Sequence, residues 1–301
     1  MPSSYKKYIT IILSMVFWSL SYVWIKVALD VYDPITITIF RLAISATILS
    51  IIIFATGKFE KIKKEDYKLM ALLAFFEPFL YFIGESHGMQ YVSPTVGSVI
   101  IATIPLFTPI AAFLFTRERL SNTGILGLII SFIGVSLVVM TPEANIEASG
   151  KGVSLMFLAV FAGVGYSIIL KKIAHKYRGT TIILYQNLGG ILFFSPLFFA
   201  FRFQAFINTP LNINAIIVIV QLAVFASTLA FLFFTYAVRQ LGINTSNLFT
   251  NLIPVFTAVF AFILIGEIPS LRNTIGIGIV IGGLFISQLD YKKVKAKLIR
   301  K

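Results

Sequence analysis

Apolar residues fill most of this chain in long runs that short polar breaks separate. Ten such segments can be marked, and most have about 20 residues, the length that an α-helix needs to cross a bilayer. The longer polar breaks are residues 57–66, 141–151 and 202–212. The pattern therefore predicts an all-α membrane protein with ten transmembrane helices. The predicted segments are residues 8–29, 35–56, 67–88, 93–116, 121–140, 152–172, 180–201, 213–237, 243–265 and 271–290.

The composition also indicates a bilayer rather than water as the main solvent. Hydrophobic residues make up 58% of the 301 residues and charged residues 12%, whereas a soluble domain is about half apolar and about a quarter charged. The mean hydropathy is +0.92. Cysteine is absent, which excludes disulfides and thiolate chemistry. No small-residue cleavage site follows the first apolar run, so we expect a retained first helix rather than a signal peptide.

Lysine and arginine are distributed unevenly between the two sets of loops. Ten crossings place both termini on one side, and the segments on that side hold 20 of the 25 Lys and Arg residues, against 3 on the other side. Cytoplasmic loops carry such an excess. We therefore expect cytoplasmic termini, with a basic tail at 291–301, in the cytoplasmic membrane of a bacterium. The net charge of +13 then requires no nucleic acid as a partner, and the expected partners are the lipid bilayer and a small-molecule substrate.

The chain contains an internal repeat. Residues 91–137 align with residues 240–286 at a constant offset of 149, without a gap. The matched pairs include Pro105 with Pro254, Glu118 with Glu267, Gly127 with Gly276 and Gly134 with Gly283. The predicted halves are residues 1–140 and 150–290, with five helices each, and an odd number of crossings inverts the second half. Inverted repeats are common in secondary transporters, whose sites lie near the membrane midplane between the repeats.

In these features the chain resembles the drug/metabolite transporter superfamily, in its ten-helix EamA-type branch. The segments that carry the resemblance are WSLSYVWIK (18–26), DPITITIFR (33–41), the endings TRE (116–118) and IGE (265–267), and the glycine-rich fifth and tenth segments. The resemblance covers nearly the whole chain. It implies a central cavity and export of amino acids or other small metabolites, with relatives that carry sugars, nucleotide sugars and phosphorylated intermediates. The third segment departs from the resemblance, because common members usually have no carboxylates where Glu77 and Glu85 stand.

Polar residues interrupt this third segment, within FFEPFLYFIGESHG at 75–88. On a helix, Glu77, Tyr81 and Glu85 fall on one face. That face must point to the bundle interior or to a wet cavity, because a charge that faces lipid near the bilayer centre costs at least about 2.5–3.5 kcal/mol. Glu77 is a candidate for binding a substrate amine or carrying a proton, and the alternative is a buried structural acid. Glu85 is either a structural acid or a gating residue.

Three basic or titratable residues lie toward the predicted outer side. Lys26 lies level with Glu85 and Arg41 lies slightly deeper, so either residue could pair with Glu85, as a static contact or as a gate that breaks during transport. Lys26 could instead extend to the membrane interface. His87 is either an interfacial side chain or a proton relay.

Aromatic and small polar residues complete the predicted cavity. Aromatic faces bind cations and stack on rings, and hydroxyl and amide groups can hydrogen-bond a zwitterion. Packing is the alternative for each of them, because aromatic residues make up 15% of the chain and polar residues also join helices. The candidates for substrate contact are Trp18, Tyr22, Glu77, Tyr81, Ser98, Thr103, Tyr166, Asn247 and Asn251.

Other residues are expected to shape the helices. Pro105 and Pro254 remove helical hydrogen bonds and are predicted hinges of the fourth and ninth helices. Glu118 and Glu267 end those helices and are predicted to hold the following helices in place. The glycines of the fifth and tenth segments predict close helix packing, and a homodimer is a further use of the same surface. Those of the tenth segment include Gly276, Gly278, Gly282 and Gly283.

Enzyme signatures are absent from the sequence, including HExxH, GxSxG and the phosphate-binding P-loop. With two histidines and no cysteine, we expect neither a protein metal site nor a cofactor. We therefore predict that the protein is not an enzyme but a secondary transporter. It would export small metabolites, amino acids or related amphipathic compounds, by alternating access through a central cavity. The alternatives are a carrier of phosphorylated sugars or nucleotide sugars, and a flippase for a lipid-linked substrate.

Overall fold

The computed structural model describes residues 2–116, 122–139 and 149–288, and within them the chain forms helices and no strand. Predictions for Glu118 and for the tail at 291–301 concern residues outside this part. The α-helices are α1 (Pro2–Leu29), α2 (Pro34–Thr56), α3 (Tyr67–Ala74), α4 (Tyr81–Gly88), α5 (Pro94–Ile101), α6 (Ile104–Thr116), α7 (Asn122–Val139), α8 (Gly150–Ile173), α9 (Gly179–Phe201), α10 (Phe203–Asn208), α11 (Ile213–Gln221), α12 (Phe231–Leu241), α13 (Ile243–Leu248), α14 (Ile253–Ile265) and α15 (Leu271–Gln288).

Many of these helices have membrane-spanning length. Seven helical stretches of the described chain are long and apolar enough to cross a bilayer: Tyr5–Leu29, Pro34–Thr56, Lys64–Gly88, Gly150–Ile173, Gly179–Phe201, Ile213–Leu241 and Thr245–Ile265. Three shorter apolar helices are Pro94–Thr108, Thr123–Val139 and Leu271–Gly283. The prediction of an all-α fold with membrane-spanning helices is confirmed for the described residues.

Two of the long stretches change their winding near the middle. Between α3 and α4, the wide turns of Phe75–Leu80 contain Glu77 in an extended conformation, with φ −140° and ψ 114°. The next residue is Pro78, which has no backbone N–H to donate to a helix. Between α11 and α12, similar wide turns cover Leu222–Ala230. Wide turns of this kind within helices often occur at functional sites.

The two prolines predicted as hinges lie where a helix starts again. α5 ends at Ile101 and α6 begins at Ile104, one residue before Pro105. In the other half, the tight turns of Phe249–Leu252 end where α14 begins, one residue before Pro254. A proline is tolerated in the first turn of a helix because its missing N–H would be unpaired there anyway. Each proline therefore begins a second helix rather than bending a continuous one.

Glycines bring α7 and α15 into close contact. A Cβ atom built on Gly134 would lie 2.9 Å from the carbonyl oxygen of Gly276. A Cβ atom built on Gly283 would lie 2.8 Å from the carbonyl oxygen of Gly127. Gly134, in the second half of α7, thus meets Gly276 near the start of α15, and Gly127, near the start of α7, meets Gly283 in the second half of α15. The two helices are therefore antiparallel. Only glycine fits where two helix backbones approach this closely.

Large apolar side chains cover the outside of the bundle. Phe54, Leu192 and Phe285 are 92%, 71% and 69% exposed, respectively. On α15, Gly278 and Gly282 have open space beside them. Two of the four glycines predicted to pack helices in this segment therefore face outward, toward lipid or a further protein surface, and do not contact the described chain.

Candidate functional site

A cavity lies beside three of the helix interruptions, those at Glu77, between Ile101 and Ile104, and between Thr250 and Ile253. About 640 Å³ within and around it is not occupied by atoms, a volume that includes open solvent. It is lined by residues of α1, α2, α4, α5, α6, α8, α12, α13 and α14 and of the turns between them. The predicted residues that line it are Trp18, Tyr22, Arg41, Glu77, Tyr81, Glu85, Tyr166 and Asn247.

Glu77 is the acid at the helix interruption. Its side chain lines the cavity, although the residue is only 4% exposed. No donor within the described residues reaches its Oε1 atom. Buried polar atoms without a partner are rare in native proteins. The extended backbone at Glu77 thus presents a free carboxylate oxygen to the cavity, where a bound molecule could supply the missing donor.

Glu85 lies one helical turn beyond Tyr81 and, unlike Glu77, has a partner. The Tyr81 hydroxyl donates to Glu85 Oε1 at 3.1 Å. The Tyr22 hydroxyl lies 3.4 Å from that of Tyr81. These contacts connect α1 with α4 at the cavity wall, and they fix the position of the Glu85 carboxylate.

Arg41 is the basic residue among the described residues that line the cavity. Its Nε atom donates to Ser227 Oγ at 2.9 Å, and its guanidinium carbon lies 4.3 Å from the centre of the Phe82 ring. Arg41 and Glu85 do not come within ion-pair distance, so the predicted contact between them is not formed in this structure.

A buried polar network behind Arg41 was not predicted from the sequence. Ser45 Oγ lies 2.7 Å from Thr228 Oγ1 and donates to the carbonyl oxygen of Ser227 at 3.2 Å. Asn187 Nδ2 donates to Ser45 Oγ at 2.7 Å. The network joins α2 and α9 to the wide turns after α11, and through Ser227 it fixes the orientation of Arg41. The sequence signal that could have revealed this network is the presence of four polar residues within otherwise apolar segments: Ser45, Asn187, Ser227 and Thr228.

Aromatic residues form much of the remaining wall. The Trp18 ring lies 5.1 Å from the rings of Phe231 and Phe234, measured between centroids. The Tyr166 hydroxyl is buried without a partner in the described chain. Asn247 Nδ2 donates to the hydroxyl of its neighbour Ser167 at 3.3 Å. The cavity therefore combines a large apolar surface with a few polar groups.

The structure does not bring three predicted contact residues to the cavity. The hydroxyls of Ser98 and Thr103 donate to carbonyl oxygens three residues earlier in the chain, at 2.8 and 2.6 Å. They satisfy their own backbone instead of a ligand, as serine and threonine hydroxyls can in helices. Asn251 is buried, with an unpartnered Oδ1 atom, but it does not line the cavity.

Lys26 and His87 also lie away from the cavity lining. The Lys26 ammonium donates to the carbonyl oxygens of Met89 and Val92 at 3.0 and 3.2 Å. Lys26 therefore does not pair with Glu85, because its ammonium group binds carbonyl oxygens in the turn between α4 and α5. His87 Nδ1 lies 3.0 Å from the Ile83 carbonyl oxygen.

Glu267 joins two helix ends that are distant in sequence. Its Oε1 atom accepts a hydrogen bond from the Ser93 hydroxyl at 2.8 Å. Ser93 itself caps the start of α5. The contact therefore joins the chain just after α14 to the start of α5. The prediction from the sequence was instead a contact of Glu267 with the helix that follows it, α15.

The repeat reveals lining residues that were missed. Ile101 and Ile104 line the cavity, and so do Thr250 and Ile253, which correspond to them at the offset of 149. These pairs flank the breaks before the two prolines. Comparing the residues before Pro105 with those before Pro254 at the offset of 149 is the sequence signal that could have found these four residues. The other missed lining residues are Ser21, Phe82, Gly163, Ser167, Phe231 and Phe234.

Comparison with known proteins identifies the family. The model of the EamA-like transporter family matches residues 5–140 and again residues 150–289. The chain belongs to the EamA-like transporter family. Since this family and the relatives below are transporters, the predictions of a transporter and of a protein that is not an enzyme are confirmed.

Relatives of this EamA-like transporter match over nearly their whole length. It is 30% identical over 281 residues to an "Uncharacterized transporter" of Archaeoglobus fulgidus, covering 93% of this chain and 98% of that protein. It is 25% identical over 276 residues to the "Probable terminal-alkyne amino-acid exporter" of Streptantibioticus cattleyicolor, covering 92% and 91%. A crystal structure with 14% identity covers 92% of this chain and 98% of its own at a TM-score of 0.65, and it shows the same fold.

Proposed function

We propose that this EamA-like protein is a secondary transporter that exports amino acids or related small amphipathic compounds by alternating access through the cavity. The observation that carries the proposal is the free Oε1 atom of Glu77 in an aromatic pocket. A substrate ammonium would donate to this oxygen, and the aromatic wall would bind both the cation and the apolar part of the substrate. The name of the Streptantibioticus cattleyicolor relative, an amino-acid exporter, agrees with this class of substrate.

The cavity fits a carrier of phosphorylated sugars or nucleotide sugars less well. Such substrates carry one or more phosphate groups, which proteins bind with several arginine or lysine side chains. Arg41 is the only lysine or arginine among the described lining residues. The acidic residues that line the cavity with it, Glu77 and Glu85, offer no further positive charge to a phosphate.

Contacts between loops on the basic side support ten crossings. Lys176 Nζ lies 2.7 Å from Asp66 Oδ1, and the Tyr177 hydroxyl donates to Asp66 Oδ2 at 2.6 Å. The backbone N–H of Arg178 donates to Glu60 Oε2 at 2.8 Å. The hydrogen bond between Lys176 and Asp66 raises the pKa of Lys176 and lowers the pKa of Asp66, so the contact holds at neutral pH. It weakens as the pH rises through the raised pKa of Lys176 or falls through the lowered pKa of Asp66. The ten-helix topology places both of these loops in the cytoplasm.

Contacts on the opposite side support the same topology. Arg202 Nε lies 3.5 Å from Asp33 Oδ1, and Lys151 Nζ donates to the Tyr91 hydroxyl at 2.8 Å. Each contact joins two loops that ten crossings place outside the cytoplasm. We therefore propose ten transmembrane helices with both termini in the cytoplasm, in the cytoplasmic membrane.

The packing of α7 on α15 supports two inverted repeats. At the offset of 149, Gly127 corresponds to Gly276 and Gly134 to Gly283. The contact of Gly134 with Gly276 and that of Gly283 with Gly127 are therefore images of each other. A two-fold axis between the repeats produces such reciprocal pairs. The family model also matches each predicted half separately.

Counterflow in proteoliposomes tests the proposed function. Purified protein is reconstituted with a high internal concentration of one unlabelled compound, and uptake of the labelled compound is followed for amino acids, sugars and sugar phosphates. We expect saturable counterflow of compounds that contain an amino group. Glu77→Gln should reduce this counterflow by about tenfold or more, since a charge-assisted hydrogen bond is worth about 1.5–3 kcal/mol.

Glu65→Gln is the matched control, because Glu65 is exposed and does not line the cavity. It should transport like the wild type. Counterflow confined to sugar phosphates would overturn the proposal, and so would the absence of counterflow for every compound with folded wild-type protein. If Glu77→Gln kept counterflow but lost accumulation driven by a pH gradient, Glu77 would carry the coupling proton.

A further inference from the structure

We propose that α3 is the cytoplasmic gate of this transporter, with a latch at Asp66 and a hinge at the helix interruption around Glu77. With the latch closed, α3 lies on α8 and the cavity is shut toward the cytoplasm. With the latch open, the cytoplasmic end of α3 leaves α8. This inference rests on the proposed function, because it assigns one step of alternating access and uses the proposed topology.

The latch joins the residue before α3 to the turn after α8. Asp66 is buried, with a side chain 3% exposed. Its Oδ1 atom accepts a hydrogen bond from Lys176 Nζ at 2.7 Å, and its Oδ2 atom accepts one from the Tyr177 hydroxyl at 2.6 Å. That hydroxyl also accepts from the backbone N–H of Lys63 at 3.1 Å. Hydrogen bonds to a charged acceptor are stronger than neutral ones, so these contacts hold the start of α3 on the second half.

The turn that receives Asp66 is fixed within the second half. Arg239, near the end of α12, donates from Nε to the carbonyl oxygen of Ala174 at 2.5 Å. The backbone N–H of Arg178 reaches the first half, where it donates to Glu60 Oε2 at 2.8 Å. The turn therefore belongs to the frame of α8 and α12, and Asp66 belongs to α3.

On the other side of the interruption, α4 is packed tightly on α8. A Cβ atom built on Gly84 would lie 2.5 Å from the carbonyl oxygen of Leu155 and 2.6 Å from the backbone nitrogen of Ala159. The backbones of α4 and α8 are therefore in contact. They can separate only if the whole helices move apart, so α4 stays on α8 when the gate opens.

The end of α3 and the interruption contact the second half through side chains instead. A Cβ atom built on Gly165 would lie 2.6 Å from the ring of Phe76. One built on Gly189 would lie 2.5 Å from the Cβ atom of Ala74. Side chains can slide or change rotamer as a helix tilts, so these contacts permit a movement of α3 that the contact of α4 with α8 does not.

The interruption between α3 and α4 provides the hinge. Glu77 has an extended backbone, and Pro78 has no N–H to donate, so regular helical hydrogen bonds do not run unbroken from α3 into α4. Sharp bends of helices occur at prolines and at wide turns. Hinges consist of a few residues that absorb a change in φ and ψ, and the segment Phe75–Leu80 has this character.

The internal repeat contains the same arrangement in the second half. At the offset of 149, α3 corresponds to residues 216–223 and α4 to residues 230–237, which overlap α11 and α12. The wide turns of Leu222–Ala230 lie between them. The proposed topology places α11 toward the opposite side of the membrane. Alternating access by inverted repeats needs one such element for each side.

Cysteine accessibility tests the gate without any substrate. Because the chain lacks cysteine, Ser167→Cys introduces a single reporter on α8, at a cavity-lining residue that is 4% exposed. Inside-out membrane vesicles, which present the cytoplasmic face, are treated with a charged, membrane-impermeant methanethiosulfonate reagent. The rate of modification is measured, and the closed latch should keep this rate low.

Two variants weaken the latch. Tyr177→Phe removes one donor and keeps the ring, and Asp66→Asn removes the charged acceptor. These contacts exist only in the closed gate, so their loss shifts the population toward the open gate. We expect each variant to raise the modification rate of Ser167→Cys from the cytoplasmic face by about tenfold or more, because a hydrogen bond to a charged group shifts an equilibrium by roughly that factor. Tyr67→Phe, on α3 at a tyrosine that is 49% exposed, is the matched control and should leave the rate unchanged.

A second reporter separates an open gate from a general loosening of the bundle. Ser86 lies on α4 and is 0% exposed. Because α4 stays on α8, Ser86→Cys should remain unmodified when combined with Tyr177→Phe or Asp66→Asn. An unchanged rate at Ser167→Cys in folded Tyr177→Phe would overturn the latch. Equal acceleration at both reporters would overturn the hinge. If Asp66→Asn does not fold, Tyr177→Phe alone decides.

These outcomes are independent of the transported compound. If counterflow finds export of compounds with an amino group and the latch variants do not change the modification rate, the proposed function stands and the gate is refuted. If counterflow finds no such compound and Tyr177→Phe still opens the cavity to the cytoplasm, the gate stands and the proposed substrates are refuted.

Discussion

Two adjacent glycines of α15 allow a direct test of the packing between the halves. A Cβ atom on Gly283 would lie 2.6 Å from the backbone nitrogen of Ser131 and 2.8 Å from the carbonyl oxygen of Gly127. A Cβ atom on Gly282 would meet nothing within 4 Å. Gly283→Ala should therefore destabilise the protein relative to Gly282→Ala, because backbone atoms of α7 cannot rotate away from the new methyl group.

The difference between the two variants isolates the packing cost. Replacing glycine with alanine inside a helix gains about 0.8–1.0 kcal/mol from helix propensity, and this gain is common to both variants. Overpacking a well-packed contact costs about 1–3 kcal/mol. Gly283→Ala should thus be about 1–3 kcal/mol less stable than Gly282→Ala. Gly134→Ala is the equivalent change on α7, with backbone atoms of Val280 and Gly276 at 2.8 and 2.9 Å, and it should cost a similar amount.

Thermal unfolding in detergent measures this difference. Each variant is heated in steps, and the remaining monodisperse protein is measured by fluorescence-detected size-exclusion chromatography at one heating rate, because such unfolding is commonly irreversible. We expect midpoints for Gly283→Ala and Gly134→Ala several degrees below that of Gly282→Ala. Equal midpoints for Gly283→Ala and Gly282→Ala would refute the close approach of α7 and α15, and with it the reciprocal contact that supports the inverted repeat.

Three further predictions follow from other contacts. Gly84→Ala should lower the unfolding midpoint, because its Cβ atom would lie 2.5–2.6 Å from backbone atoms of α8; a wild-type midpoint would contradict that contact. Asp66→Asn should destabilise the protein by weakening the contact with the loop after α8, whereas Glu65→Gln, with a side chain 70% exposed, should not; equal midpoints would place little stability in this contact. Because the chain lacks cysteine, single cysteines can be labelled without background in intact cells, and a membrane-impermeant maleimide should label Leu211→Cys but not Lys61→Cys. The reverse labelling would overturn the proposed orientation.

The sequence was sufficient to locate the helical stretches, but not the interruptions inside them, such as the one at Glu77. Apolar runs of spanning length predicted the helical stretches, since the thickness of the bilayer determines their length. Helical periodicity placed Glu77, Tyr81 and Glu85 on one face, and all three line the cavity. The offset of 149 related Pro105 to Pro254 before any contact was known, and both prolines begin helices after a break.

Only the tertiary structure decided which partner each polar side chain has. Ser98 and Thr103 looked like ligand contacts, yet both donate to their own backbone. Arg41 binds Ser227, which lies 186 residues away in the chain, and Lys26 binds carbonyl oxygens instead of Glu85. Periodicity is a property of one helix and shows which residues share a face. A partner depends on which helices are neighbours, how each is rotated and where its winding changes, and these depend on packing across the whole bundle.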